Sequence, residues 1–223
     1  MELKFNGHAA FLLTAADGTR LLTDPYNDEV GYRVPLDAAD YVTVSHDHFD
    51  HASVENVPGD PVVIKGPGEH AAGGIGIVGV ETDHDDAGGA ERGKNTVFVF
   101  TLNDEGQQVR ILHAGDLGIQ PTRAQLAAFG EVDVMLVPVG GHYTIDAADA
   151  KAFVASLRPR LVVPMHYKTE AIGFPIAPVD DFLAQMAGCE VRRPGVSVAI
   201  GGRALKDLPS SATPPIVVLD YVR

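Results

Sequence analysis

An apolar, β-prone segment, Tyr41-Val42-Thr43-Val44, runs directly into Ser45-His46-Asp47-His48-Phe49-Asp50-His51. No other feature of the chain limits the fold as much. Three of the nine histidines fall within six residues, with Asp50 among them. Because the cluster follows a strand, it lies on a loop at a sheet edge. Such a loop can curl so that His46 and His48 point at one ion while Asp50 and His51 point at a second. Imidazole and carboxylate are ligands that suit zinc, and more broadly manganese or iron. The bland alternative is a solvated histidine-rich loop. Single histidines are common, but this spacing at a strand end is not.

The rest of the chain supplies two sheets and a helical layer. Leu3 to Thr14 is apolar and β-prone, and Asp17-Gly18 is a hairpin signal before Arg20 to Thr23. Further strands are expected at Pro61 to Lys65, Ile75 to Glu81, Thr96 to Leu102 and Val109 to His113. The turn Asp104-Glu105-Gly106 joins the last two. Helices are expected at Pro121 to Phe129, Asp146 to Leu157 and Val179 to Ala187, the second carrying Ala150, Phe153, Val154 and Leu157 at helical spacing. Strands at Val132 to Val137 and Leu161 to Pro164 alternate with them, and Cys189 to Arg192 and Ser197 to Ile200 close the sheet. Asp207 to Pro215 reads as a linker inside a C-terminal extension of about residues 203–223, and Ile216 to Leu219 as an added edge strand. Strands first, then strand–helix alternation, predicts one α/β domain with two sheets face to face and helices outside.

Composition narrows the partners. Thirty acidic against seventeen basic residues give a formal net charge of −13, which repels phosphate backbones and anionic lipid. Nucleic acid is therefore not an expected partner, and a small molecule is. The single Cys189 forbids an internal disulfide. No leader-like segment opens the sequence and no apolar run reaches the ~18 residues of a membrane helix, so a cytoplasmic protein without membrane insertion is expected.

The cluster His46, His48, Asp50, His51 matches the His-x-His-x-Asp-His hallmark of the metallo-β-lactamase superfamily, which this chain resembles. Asn6-Gly7-His8-Ala9, Asp24-Pro25, Arg92-Gly93-Lys94-Asn95 and His113-Ala114-Gly115-Asp116 are similar to the branch containing ascorbate-6-phosphate lactonase and N-acylphosphatidylethanolamine phospholipase D. The resemblance covers roughly residues 3–200. It implies a four-layer αββα sandwich and two divalent ions, zinc first, with manganese or iron(II) as alternatives. It also implies three more ligands. His84 in Thr82-Asp83-His84 is the distant histidine, since its rival His70 precedes the strand. Asp116 is the bridging carboxylate, and His166 in Pro164-Met165-His166-Tyr167 is the last ligand. Asp24 matches an aspartate that supports the loop by hydrogen bonds, against the alternative of a plain turn before Pro25. His113, a strand residue, is expected to pack or support rather than ligate.

The implied activity is hydrolysis of a small ester, lactone or phosphodiester, with Asp50 also able to accept the proton of a metal-activated water. Tyr143 and His142 lie near the expected metal face. Lys168, Arg92 and Lys94 are candidates to hold an anionic substrate group. A non-catalytic metal-dependent sensor of a small ligand would need the same ions, and remains the competing class.

Overall fold

Side chains along Ala10–Thr14 alternate between two apolar clusters. Phe11 and Leu13 join Leu3, Phe5 and Leu21 on one face, while Ala10 and Leu12 join Leu22, Val42 and Val44 on the other. This period of two, buried on both sides, is what a sheet in the middle of a layered protein requires. The computed structural model describes residues 1–223.

The first sheet contains β1 (Glu2–Gly7), β2 (Ala10–Thr14), β3 (Arg20–Thr23), β4 (Tyr41–Val44) and β5 (Val62–Lys65). The second begins with the antiparallel run β6 (Gly68–Ala72), β7 (Ile75–Asp83), β8 (Lys94–Asp104) and β9 (Gln107–His113). It continues in parallel through β10 (Val134–Pro138) and β11 (Leu161–Met165). Helices α1 (Arg123–Phe129), α2 (Ala147–Leu157) and α3 (Val179–Gln185) separate these strands. The chain ends with β12 (Val191–Arg192), β13 (Ser197–Ala199), α4 (Gly202–Asp207) and β14 (Ile216–Val217). Sheet orders are β13-β1-β2-β3-β4-β5 and β12-β14-β11-β10-β9-β8-β7-β6.

The inner faces of the two sheets share the main core, with Phe5, Phe11, Phe98, Phe100 and Leu136 fully or almost fully buried. Ala150, Phe153 and Val154 of α2 are buried, as their helical spacing predicted. Thr122 and Gln125 form a capping box that starts α1 at Arg123, two residues past the expected Pro121. Loops and two 3-10 turns cover the outer face of the first sheet, with Tyr26, Val30, Tyr32, Leu36, Ile172 and Ile176 packed there.

Three expectations change. The apolar run from Leu3 to Thr14 is a hairpin, broken at Gly7-His8-Ala9, where His8 takes φ of 56°. Gly68–Ala72 forms an additional strand, in which His70 bonds the Gly66 carbonyl at 3.1 Å, away from the histidine cluster. The C-terminal segment is built into both sheets. β13 pairs with β1, and β14 is not at an edge but lies between β11 and β12, with Ile216 and Val217 buried. Within the expected C-terminal extension, α4 is tied down by Asp133, which accepts Lys206 Nζ at 2.7 Å and Arg160 Nε at 3.0 Å.

Candidate metal centre

The parallel strands β9, β10 and β11 run to one edge of the second sheet, and open α/β sheets gather ligand sites at such carboxyl ends. The first sheet brings the end of β4 to the same place, with the Ser45 carbonyl accepting the Thr96 amide of β8 at 2.9 Å. The histidine loop therefore emerges between two sheets, not beside one.

Buried Asp24, just past β3, draws the two ends of that loop together. Its Oδ1 accepts the Ser45 amide at 2.8 Å, while its Oδ2 accepts the Ser45 hydroxyl at 2.6 Å and His51 Nδ1 at 2.9 Å. These bonds also set the tautomers. Ser45 Oγ gives its proton to Asp24, so His46 Nδ1–H donates to that oxygen at 2.9 Å. The Nε2 lone pairs of His46 and His51 are left to face the site, the orientation metal-bound imidazoles take from such partners.

The other candidates sit just beyond strand ends. Asp116 follows β9, and its amide donates to Asn95 Oδ1 at 3.0 Å. His84 follows β7 with its backbone pressed against Gly118. A Cβ on Gly118 would stand 2.2 Å from the His84 carbonyl carbon. His166 follows β11 in a left-handed conformation, φ 51°, and its amide donates to the His8 carbonyl at 2.9 Å. Asp24, with φ of 39°, is also left-handed. Each such residue costs roughly 1–2 kcal/mol, so surrounding bonds must hold it.

The side chains converge. Asp116 Oδ1 is 3.2 Å from His51 Nε2, and Asp116 Oδ2 is 3.3 Å from His84 Nε2, 3.4 Å from His166 Nε2 and 3.9 Å from His46 Nε2. His46, His48 and His84 offer one set of donor atoms within 4.8 Å of one another, and His8, Asp50, His51 and His166 offer another. The Nε2 atoms of His46, His51 and His166 and Oδ1 of Asp116 are buried without a hydrogen-bond partner. Orphaned polar atoms of this kind are costly unless a ligand satisfies them. Lone pairs from imidazole and carboxylate aimed at common points are what a divalent transition metal needs, so the donor set fits metal ions.

Electrostatics reflect the crowding. Burial opposes charge on His51, yet Asp116 and Asp50 hold its pKa well above the usual histidine value. Burial, then the neighbouring His51, drives His46 down to about 3, and burial followed by His166 lowers His8 to about 4. Burial works against the Asp116 carboxylate, but His166 and His51 keep its pKa well below the ordinary range.

His8 and Asn95 carried no role in the sequence reading. His8 is buried in the β1–β2 turn, with Nε2 3.1 Å from Asp50 Oδ2 and its ring centroid 4.1 Å from that of His166. Asn95 donates to Thr82 Oγ1 and to the Ala114 carbonyl, both at 2.9 Å, while accepting from Asp116. Both lay in motifs that carried the family resemblance, which was the available signal. His113 spends both ring nitrogens elsewhere: Nε2–H donates to the Ala9 carbonyl at 2.8 Å and Nδ1 accepts the Gly115 amide at 3.2 Å.

A cavity of about 230 Å³ opens onto this centre, lined by His48, Phe49, Asp50, His84, Arg92, Asp116, Tyr143 and Phe174. His142 is exposed and lines the neighbouring cleft instead. Lys168 is not among the lining residues. Its ammonium bonds the carbonyls of Ile172 at 2.6 Å and Phe174 at 2.9 Å, so it shapes the aromatic wall from behind and does not offer a free cation. Lys94 is held by Asp83 at 2.5 Å. No helix is long and apolar enough to cross a membrane.

Comparison with known proteins gives the family. Residues 2–166 match the family model described as a beta-lactamase superfamily domain. A UPF0173 metal-dependent hydrolase of Anaeromyxobacter sp. (strain K) is 34% identical over 207 residues, covering 75% of each chain. One from Pyrobaculum calidifontis is 31% identical over 235 residues, 92% of this chain and all of that one. Among solved structures, a chain from Thermotoga maritima described as a Zn-dependent hydrolase of the metallo-beta-lactamase superfamily is 36% identical. It has a TM-score of 0.77 and covers 99% of both chains.

Proposed function

The chain belongs to the metallo-β-lactamase superfamily, among its metal-dependent hydrolases, and on that premise we propose a binuclear centre that hydrolyses a small ester, lactone or phosphodiester. The observation that carries this reading is the set of buried, unpartnered donors on His46, His51, His166 and Asp116. His46, His48 and His84 would hold one ion. Asp50, His51 and His166 would hold the other, with Asp116 shared between them. Zinc suits this histidine-rich set best. When bound, the ions supply Lewis acidity and lower the pKa of water towards ~7.

The chain's own residues orient the chemistry. Asp24 fixes His51 and, through Ser45, His46, so neither ring needs to reorganise. His8 holds Asp50 Oδ2, and the Asp50 side chain is 14% exposed at the cavity floor. On this reading Asp50 would accept a proton from the attacking water. Tyr143, which lines the cavity, would bind or protonate the leaving group.

Elemental analysis after reconstitution should give two divalent ions per chain, and generic ester turnover should be lost with a chelator and restored by metal. A stoichiometry that stays at one overturns the binuclear reading. Asp116→Ala should weaken the second ion more than the first, because the first keeps three imidazoles while one of the three donors left to the second is Asp50, partly exposed and already bonded to His8.

A further inference from the structure

We infer that Arg92 is the substrate's anion anchor and that the preferred substrate pairs one terminal anionic oxygen group, carboxylate or phosphate, with an apolar or aromatic body. The inference rests on the hydrolase reading above and adds the substrate class. Of the cationic side chains suggested by the sequence, Arg92 alone lines the cavity over the metal centre. Lys94 is committed to Asp83, and Lys168 to two backbone carbonyls. The Arg92 guanidinium has no carboxylate partner. Its Cζ stands 5.6 Å from the centre of the Tyr143 ring, an attraction that holds the cation without consuming its donors.

The loop that carries it is firmly built. The Asp85 carboxylate accepts four backbone amides, from Ala87, Gly89, Glu91 and Arg92, at 2.7–3.0 Å. A residue at the end of such a wound loop is presented at a fixed place, so binding an anion there costs little ordering. The opposite walls are apolar. Phe49, 47% exposed, meets Phe174 at 6.4 Å, and Phe174 meets Tyr143 at 6.1 Å, each edge-on. An exposed phenylalanine at the mouth of a metal cavity is suited to cover an apolar group. In a chain of net charge −13, an unpaired arginine here also draws an anion against the general field. A cavity of about 230 Å³ is of a size to admit a small molecule.

The test uses three 4-nitrophenyl esters that differ only at the end of the acyl chain: the hemisuccinate, the 3-phosphonopropanoate and the apolar 4-methylpentanoate. Metal-loaded wild type should show higher kcat/KM for an anionic ester than for the apolar one, with the gain mainly in KM. Arg92→Ala should reduce that preference roughly 10- to 100-fold, the range of a charge-assisted hydrogen bond, and Arg92→Lys should restore part of it. Whether carboxylate or phosphonate is favoured distinguishes the two anion sources. A wild-type enzyme that turns over all three without preference, or a preference unchanged in Arg92→Ala, overturns the inference and leaves the hydrolase reading intact. If no ester is turned over, that reading loses support, and calorimetric binding of the intact hemisuccinate and phosphonopropanoate esters decides the inference. At least tenfold weaker binding of either ester to Arg92→Ala supports it, and equal or no binding by wild type overturns it.

Discussion

The contact between Gly118 and His84 offers a way to move one metal-site residue without touching its side chain. An alanine Cβ at position 118 would lie 2.2 Å from the His84 carbonyl carbon, 2.3 Å from its oxygen and 2.4 Å from the Asp85 nitrogen. All three are backbone atoms, and ordinary contact begins at 3.4 Å. The two segments must therefore separate by about 1.2 Å or tilt apart. The Gly118 amide, which donates to the Asp83 carbonyl at 2.9 Å, resists that separation. Overpacking of this kind costs roughly 1–3 kcal/mol in stability. Displacing His84 by ~1 Å should weaken metal binding about 10- to 100-fold, the range seen when a residue that orients a ligand is lost. Gly173→Ala is the control, because nothing lies within 4 Å of its Cβ position, and it should change stability by no more than ~0.5 kcal/mol. Urea unfolding of the chelator-treated proteins measures the first effect, and competition with a chromophoric chelator the second. Gly118→Ala with wild-type stability and metal affinity would refute the steric reasoning. Lost stability with unchanged affinity would refute the place given to His84.

Other perturbations probe separate parts of the molecule. His84→Ala should lower metal occupancy sharply while His113→Ala leaves most of it, since both His113 nitrogens are already bonded; the opposite order in a metal titration would exchange their roles. Asp133→Ala removes the partner of both Arg160 and Lys206 and the acceptor of the Arg110 amide. It should cost about 2–3 kcal/mol by urea denaturation, below the usual ~3–5 for a buried pair because both cations are partly exposed. Asp104 has its pKa lowered despite burial, because the N-terminal amine and the Gly202 amide bond it. A depressed folded-state pKa contributes stability above the unfolded value of 3.8 and loses it as pH falls through the folded value. Asp104→Asn should therefore flatten the fall of stability below pH ~4 and leave its slope near neutrality unchanged, as thermal unfolding across pH would record.

How much could be read beforehand depended on whether the determinants were local. The histidine cluster was legible because its members are close in sequence and follow an apolar strand. The buried face of α2 was legible because Ala150, Phe153 and Val154 recur at helical spacing. His84, Asp116 and His166 came through family order alone, since nothing local marks a single histidine or aspartate after a strand. His8 escaped because Leu3 to Thr14 was read as one β-prone stretch, although Asn6-Gly7 just before it is a hairpin signal and Gly7 takes φ of 124°. Asn95 stands just ahead of the expected strand at Thr96, and its three bonds reach residues 13–21 positions away. Lys168 showed the reverse error. Its charge suggested a free cation, while the fold turned the ammonium inward to two carbonyls. The place of β14 was hidden for the same reason, because Ile216 and Val217 find their partners only through pairing with distant strands.

That late insertion bears on how the protein is made. A chain growing from the ribosome can form the β7–β8–β9 meander early, from neighbours in sequence. It cannot complete the sheet beyond β11 until Ile216 and Val217 emerge, nor pair the β13 side of β1 before Ser197. Until then Val162 and the open side of β1 are unpaired, adhesive edges of the sort that recruit other strands. A polypeptide cut short between residues 166 and 216 would therefore carry every candidate metal ligand and still lack a finished second sheet. Quality control could reject it by the exposed edge, with no reference to the metal centre. Pulse-proteolysis of stalled nascent chains of increasing length should show protection of the second sheet rising abruptly as residues 216–217 clear the exit tunnel.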